Sequence, residues 1–356
     1  MLTTAKDSLK AHYKSLSYYS NKIPSLTEIF GEAVQVFADH ITVGGSKRFP
    51  VVDDVIITLE PWQFTAKVRR ALHNREGMEI PPADREEFAR AIQDTFGQEW
   101  SSFSEVLPQT RVDFERYFDL VDLNQLIDAR TLDLGCGIGR WSYFLHPFCR
   151  EIVLMDFSDA IFLARKNLAA STSAIYVMGD ILRMPFAKRS FDFIYSVGVL
   201  HHLPTDGLSE VRKLAQYSSR VLIYLYYNLD NKPRFHRLLL RIVTGVRGIL
   251  SGIRSERLRM SLSWAIASFI YAPFVALGKV LNPLGLATNL PLYHWYRDKT
   301  LFQLQQDAYD RFFTGIEQRF SRQQILQLKD TFEEVRVSDG LPYWHFLCES
   351  PKTMPK

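Results

Sequence analysis

The stretch Thr131-Leu-Asp-Leu-Gly-Cys-Gly-Ile-Gly-Arg-Trp141 decides the fold. An apolar run reaches Asp133 and breaks into glycines at alternate positions, Gly135, Gly137 and Gly139, before a helix-like segment from about Trp141. Glycine lacks a Cβ and adopts positive φ at little cost, so this turn can be tight and bring backbone N–H groups close to a ligand. Such a loop between a first strand and a first helix is a nucleotide-binding element of open α/β sheets. Alone it is weak evidence, because the same spacing occurs in ordinary strand-to-helix turns.

The loop has company at useful distances. Glu151-Ile-Val-Leu-Met-Asp156 is an apolar strand ending in an acid roughly 20 residues past the loop, where an acceptor for ribose hydroxyls belongs. The dinucleotide pattern G-x-G-x-x-G is not met, since Arg140 and Trp141 stand where it runs to its third glycine. A third strand, Ala174–Met178, leads into Gly179-Asp180, and a fourth, Phe191–Ser196, into Val197-Gly-Val-Leu-His-His-Leu203. Singly, Asp133 and Asp180 are as readily helix or turn caps. Three acids at the ends of three successive strands favour a ligand site.

These motifs resemble the class I S-adenosylmethionine-dependent methyltransferases. Leu132–Trp141, Met155-Asp-Phe-Ser158, Gly179-Asp-Ile181 with Met184-Pro-Phe186, and Ser190-Phe-Asp192 through Leu200-His-His-Leu203 follow in the family's order over about 100 residues. The likeness is strongest to the branch that includes the quinone-biosynthesis enzymes. It implies S-adenosylmethionine as cofactor and a Rossmann-like, seven-stranded, mostly parallel sheet with helices on both faces. By the resemblance, the backbone at Gly135 and Gly137 holds the methionine part, Gly139 belongs to the same cofactor-binding loop, and Asp133 lies near the ammonium group. Asp156 takes the ribose, Asp180 the adenine amino group, and Phe157 and Ile181 sandwich the ring. Ser196 is expected on the cofactor side at the end of the fourth strand.

At 356 residues the chain exceeds one such core, leaving room for an extension and a cap. Cys136, Cys149 and Cys348 form no C-x-x-C pair, which gives no support to a zinc knuckle or a disulfide framework. The first residues lack a basic and then apolar leader, so a cytoplasmic enzyme is expected, without metal.

The chain divides into an N-terminal extension (1–105), a cofactor-binding core (106–228), an insert (229–315) and a terminal helix with a strand hairpin (316–356). The extension holds a β-rich stretch, Lys47–Leu59, similar to a zinc-ribbon module without its cysteines, and a helix over Asp84–Phe96. Phe96–Trp100 reads equally as packing or as a segment closing over the cofactor. Further expected elements are a helix over Phe114–Ile127, a fifth strand over Ser219–Tyr226, a helix over Arg322–Phe332 capped by Ser321, and strands at Glu334–Ser338 and Tyr343–Glu349.

By position the insert is a helical cap over the acceptor. From Arg234 to Met260 it holds seven arginines and one acid, +6, against +4 for the whole chain. Met260–Gly278 follows, 19 residues without a charge. One crossing of a membrane would split the sheet across it, so the insert reads as a buried cap or as an element docked on an anionic membrane surface through 234–278. Either way a small, apolar or lipid-like acceptor is expected. The arginines alternate with aliphatic rather than aromatic residues, which argues against nucleic acid, although an RNA substrate stays an alternative.

Methyl transfer needs a base only where the acceptor must lose a proton. His201 and His202 follow the fourth strand, with His201 the leading candidate and a shape-holding role the commoner one for such a pair. Tyr195, Tyr226 and Tyr227, with Tyr293, His294 and Trp295 of the insert, are acceptor-site candidates on position. A cofactor-binding partner protein without activity is the alternative from another class, and the sequence leaves the oligomeric state open.

Overall fold

The computed structural model describes residues 18–73 and 87–352. Helix α1 (Ile23–Phe30) leads into strands β1 (Val34–Val36), β2 (His40–Val43), β3 (Lys47–Val52) and β4 (Val55–Ile57), then helices α2 (Ala66–Leu72) and α3 (Glu87–Ser102). Asp84, within the expected third helix, lies outside the described residues. Next come α4 (Thr110–Tyr117), β5 (Arg130–Leu134), α5 (Arg140–Leu145), β6 (Glu151–Asp156), α6 (Ala160–Asn167) and β7 (Ala174–Met178). The core continues with β8 (Phe193–Val197), α7 (Gly207–Leu214) and β9 (Arg220–Tyr224). Every residue of β5, β6 and β7 is buried, the pattern of parallel strands covered on both faces. Alternate residues feed two cores: Leu132, Val153 and Met155 on one face of the sheet, Ile152, Leu154 and Tyr176 on the other.

The sheet has eleven strands rather than seven, in the order β1-β2-β3-β4-β7-β6-β5-β8-β9-β11-β10. The four extra strands come from the N-terminal segment, which therefore does not fold apart from the core. Strands β1 to β4 form an antiparallel meander, and β4 then pairs parallel with β7, Val55 opposite Tyr176. The β3–β4 turn holds Asp53 and Asp54 at positive φ and is pinned by Asp54 accepting from Arg165 of α6 at 2.9 Å. The strands from β5 to β9 are all parallel, but the order in which they are laid down reverses between β5 and β8, so their carboxyl ends face one side with a switch point in the middle. That switch point is where open α/β sheets bind ligands.

After β9 come α8 (Arg234–Leu250), then one long helix built from α9 (Glu256–Ile266), a π-helical turn (Ala267–Tyr271) and α10 (Ala272–Leu281), and then α11 (Leu301–Phe313). These helices share a third core with Phe103 of the extension, formed by Ala267, Tyr271, Val275, Leu304 and Phe312. A 2.6 Å ion pair from Arg247 to the buried Glu317 ties α8 down. The chain returns through α12 (Arg322–Leu326), β10 (Phe332–Val337) and β11 (Phe346–Pro351).

Two helices are shorter than the apolar spacing predicts. Helix α4 starts early and stops at Tyr117, because Asp122 accepts from the Asn124 N–H and nucleates a separate 3-10 turn. Helix α12 opens with the expected capping box of Ser321 and Gln324 but yields to a 3-10 turn at Gln327.

Candidate active site

A cavity of about 290 Å³ opens at the carboxyl ends of β5 to β9. Gly135, Asp156 to Ser158, Asp180 to Arg183 and Val197 to Val199 form one half. The other half is aromatic and acidic, with Phe96 and Glu99 of α3, Tyr224 at the end of β9 and Tyr226 beyond it, His202, and Asp310 of α11.

The loop after β5 depends on its glycines. Gly135 has φ 79°, and a Cβ there would sit 2.4 Å from the Val199 side chain. Gly137 has φ 53°, and a Cβ there would lie 3.0 Å from the Trp100 indole. Gly139 serves packing, because a Cβ would press into Leu168, Ala164 and Leu154. The loop's donors are already used: Gly135 and Cys136 N–H donate to the Met155 carbonyl, and Gly137 N–H to Asp156 Oδ2 at 2.8 Å. Of the three glycines, only Gly135 lines the cavity.

Asp156 ends β6 and lines the cavity. Its carboxylate accepts from Gly137 N–H, Ser158 N–H and the Ser158 hydroxyl at 2.7–2.8 Å. Burial raises its pKa, and these donors hold it partly back. Asp180 both caps and lines: it accepts from Leu182 N–H and Gln63 Nε2, each at 2.9 Å. Phe157 and Ile181 flank the same half.

Asp133 and Ser196 do not line the cavity. Asp133 is fully enclosed beneath it and accepts from the Ser142 hydroxyl at 2.6 Å, which in turn lies 2.7 Å from the Tyr195 hydroxyl. Burial pushes the Asp133 carboxyl up to about 7. Ser196 donates to the Leu134 carbonyl and locks β8 to the end of β5.

The histidine pair splits. His201 has no exposed surface and stacks on Tyr226 with ring centroids 4.0 Å apart; burial, then His202 and Arg319, hold its pKa well below the usual histidine value. His202 is the one that faces the cavity. Its Nδ1 lies 2.7 Å from the Ile316 carbonyl, so it carries the proton, and Nε2 is left buried without a hydrogen-bond partner, 3.8 Å from Asp310 Oδ1. Asp310 also accepts a short hydrogen bond from the Tyr226 hydroxyl. Glu99 adds a buried carboxyl whose Oε2 has no partner and whose pKa is pushed well up by burial and then by Asp310.

Glu99 and the α11 residues Gln306, Asp307 and Asp310 were not singled out by the sequence. Tyr293, His294 and Trp295 do not line the cavity. Tyr293 packs on Gly278, and Trp295 sits one layer back, its indole N–H donating to Asp307 at 3.3 Å. Trp100 and Phe96 do line it, so α3 forms part of the cavity wall, whereas Phe103 is a packing residue.

Residues 132–223 match the family described as "Methyltransferase domain". The malonyl-[acyl-carrier protein] O-methyltransferase of Enterobacter lignolyticus is 30% identical over 193 residues, covering 50% of this chain and 72% of that protein. The chain belongs to the class I S-adenosylmethionine-dependent methyltransferases. S-adenosylmethionine is the cofactor of this methyltransferase. A sterol 24-C-methyltransferase of Gibberella zeae is 26% identical over 33% of this chain and 34% of its own length. Among solved structures, a Mesorhizobium loti S-adenosylmethionine-dependent methyltransferase is 24% identical over 33% of this chain and 54% of that one, with a TM-score of 0.28. With another curated relative the chain spans about half the length, 51%.

Proposed function

We propose that this methyltransferase moves a methyl group from S-adenosylmethionine to an oxygen, carbon or nitrogen of a small, apolar or lipid-like acceptor. The observation that carries the reading is the single cavity joining the glycine loop and Asp156 to an aromatic pocket holding His202. The cofactor fits the first half. Gly135 leaves space that a Cβ would fill, and Phe157 and Ile181 supply apolar faces beside the acceptor Asp180. Asp156 has about four acceptor sites and three protein donors. One site is open, and a second is freed when the Ser158 hydroxyl turns away, which suits a vicinal diol. Asp133 and Ser196 support this half from below, and Gly137 and Gly139 shape its loop.

The bound sulfonium supplies an electrophilic methyl carbon, so the protein's work is alignment, a dry site and proton removal. His202 is set for the last. Its Nδ1–H is spent on a carbonyl, Nε2 offers a lone pair, and Asp310 stands ready to stabilise the imidazolium. The buried His201 holds the turn. Phe96, Tyr117, Trp141 and Tyr224 make the acceptor half a slot for a ring or an alkyl chain. The malonyl and sterol acceptors in the relatives' names agree with a small or lipid-like substrate.

The test is transfer of labelled methyl groups to a panel of apolar phenols and sterol-like alcohols, with wild type and His202→Asn. Turnover that falls about 10²-fold or more in kcat for hydroxyl acceptors, with S-adenosylhomocysteine affinity unchanged, supports the assignment. Equal turnover in both proteins removes His202 as the base. Cofactor binding without turnover of any acceptor favours a non-catalytic partner.

A further inference from the structure

The inserted helices carry an apolar surface that the core does not use. Fifteen of the 22 exposed large hydrophobic side chains among the described residues lie between 235 and 286. On α8 they begin with Phe235 and continue 3, 4, 7, 11 and 14 residues on, at Leu238, Leu239, Ile242, Val246 and Ile249. That spacing makes one stripe. Val243 and Leu250, on another side of the same helix, are the ones that pack inward. The long helix repeats the arrangement. Ser263, Ala267, Tyr271, Val275 and Gly278 are buried, while Trp264, Phe269, Ile270, Leu277, Val280 and Leu284 are exposed. Across Glu256–Leu284 the most apolar window has a mean hydropathy of 1.6 and is only 22% buried. A monomeric soluble protein rarely leaves so much contiguous apolar surface open to water.

Charge lies alongside. Arg234, Arg237 and Arg241 line α8 three and four residues apart, Arg254 lies just before the long helix and Arg257 in its first turn; all five are exposed, and none forms a salt bridge among the described residues. The other two arginines of the basic run turn inward, Arg247 to Glu317 and Arg259 to the Ile253 carbonyl. The basic character is thus sorted: two arginines hold the insert together and five face outward beside the apolar stripes.

We propose that this face docks on an anionic lipid bilayer, with the apolar stripes at the acyl boundary and the five arginines level with the phosphates. Three observations select this occupant. The face pairs apolar side chains with uncompensated positive charge, the composition of an interfacial helix rather than of a buried one. A second copy would bring the same five arginines against their own kind. A crossing conflicts with the sheet, because β9 and β11 are hydrogen-bonded neighbours and both ends of the insert must return to one side. Among the described residues one helix alone is long and apolar enough to cross. The inference stands apart from methyl transfer, since it uses none of the cavity residues.

The experiment is flotation of the full chain with vesicles of phosphatidylcholine alone and of phosphatidylcholine with phosphatidylglycerol, read alongside S-adenosylhomocysteine binding as a check on folding. The expected result is association with the anionic vesicles that weakens with salt. It should drop about a hundredfold in the triple variant Arg234→Gln, Arg237→Gln, Arg241→Gln. The variant Phe235→Ser, Ile242→Ser, Ile249→Ser should lose association while still binding S-adenosylhomocysteine, since these side chains are exposed and away from the cavity. Wild type that stays unbound at low salt overturns the proposal, and a dimer on sedimentation under those conditions assigns the face to a second copy. Vesicle binding that neither variant weakens equally refutes it, and tighter binding to RNA than to any vesicle assigns the arginines to nucleic acid.

Discussion

Replacing Asp133 with Asn separates a supporting role from a cofactor contact. The carboxyl lies in the core, where it accepts from the Ser142 hydroxyl, and its pKa stands at about 7 against an ordinary 3.8, chiefly through burial. Between those two values the native protein holds a proton that the unfolded chain has released. Stability therefore falls as pH rises through the window and is lowest above it. Each pH unit inside the window is worth about 1.4 kcal/mol, so wild type should lose roughly 2–3 kcal/mol between pH 5 and 8 that the Asn variant keeps. For a chain of 356 residues, unfolding entropies near 2.1 cal/mol/K per residue turn this into a relative melting shift of about 3–4 °C. The assay is thermal melting of both proteins at pH 5, 6, 7 and 8, with calorimetric titration of S-adenosylhomocysteine at each pH. The variant should gain on wild type as pH rises and bind the ligand within about threefold of wild type, because position 133 lies behind the cavity wall. Parallel melting profiles would falsify the buried-carboxyl account, and a loss of affinity of about thirtyfold or more would place Asp133 against the cofactor.

Three further substitutions test other parts of the site. Asp156→Ala removes the acceptor shared by Gly137, Ser158 and the cofactor, and should cost about 2 kcal/mol or more of S-adenosylhomocysteine affinity by calorimetry. Wild type should bind this ligand more weakly as pH falls, since the raised Asp156 pKa favours the protonated form, and an affinity independent of pH would count against that role. Gly135→Ala forces a Cβ onto Val199 at φ 79° and should lower stability by about 1–2 kcal/mol or more, measured by chemical denaturation, with a larger relative loss of cofactor binding. Arg247→Ala leaves Glu317 buried with Arg319 as its remaining ion-pair partner, and should cost roughly 2–3 kcal/mol of stability at neutral pH. Because pairing depresses the Glu317 pKa, that difference should shrink in acid as Glu317 protonates, which melting near pH 4 would show.

The cofactor half of the site was legible because its information is local. Leu132 and Leu134 of β5 and the Ile152–Met155 run of β6 mark the strands, and the turn chemistry and acids lie within a few residues of them. The acceptor half was not, for two reasons. His201 and His202 are neighbours in a 3-10 turn, and which imidazole points into the cavity depends on the pitch of that turn, which residue identity does not encode. Glu99 and Asp310 belong to helices whose register against the core is fixed by long-range packing around Phe103, Leu304 and Tyr309. The sheet extension was hidden similarly. Val55-Ile-Ile57 is a three-residue run, and nothing in it names β7 as its partner. Asp133 shows the opposite failure: its position in the motif is plain from the sequence, but its direction, away from the cavity, is set by Ser142 one turn along the next helix.

The insert leaves and rejoins the core at almost one point. Tyr227 pairs with Phe320, Asn228 N–H donates to the Phe320 carbonyl, and Asp230 accepts from Arg322 N–H and the Trp344 indole. A segment clasped at its base can change in length and content while the sheet stays as it is, because no strand runs through it. Gln306, Asp307 and Asp310 lie inside that clasp, whereas Gly135, Asp156 and Asp180 lie outside it. The clasped segment thus supplies one wall of a cavity whose glycine loop, acids and remaining aromatic side chains all come from outside it. Exchange of that segment between related enzymes offers evolution a way to reshape this one wall with the rest of the cavity held constant.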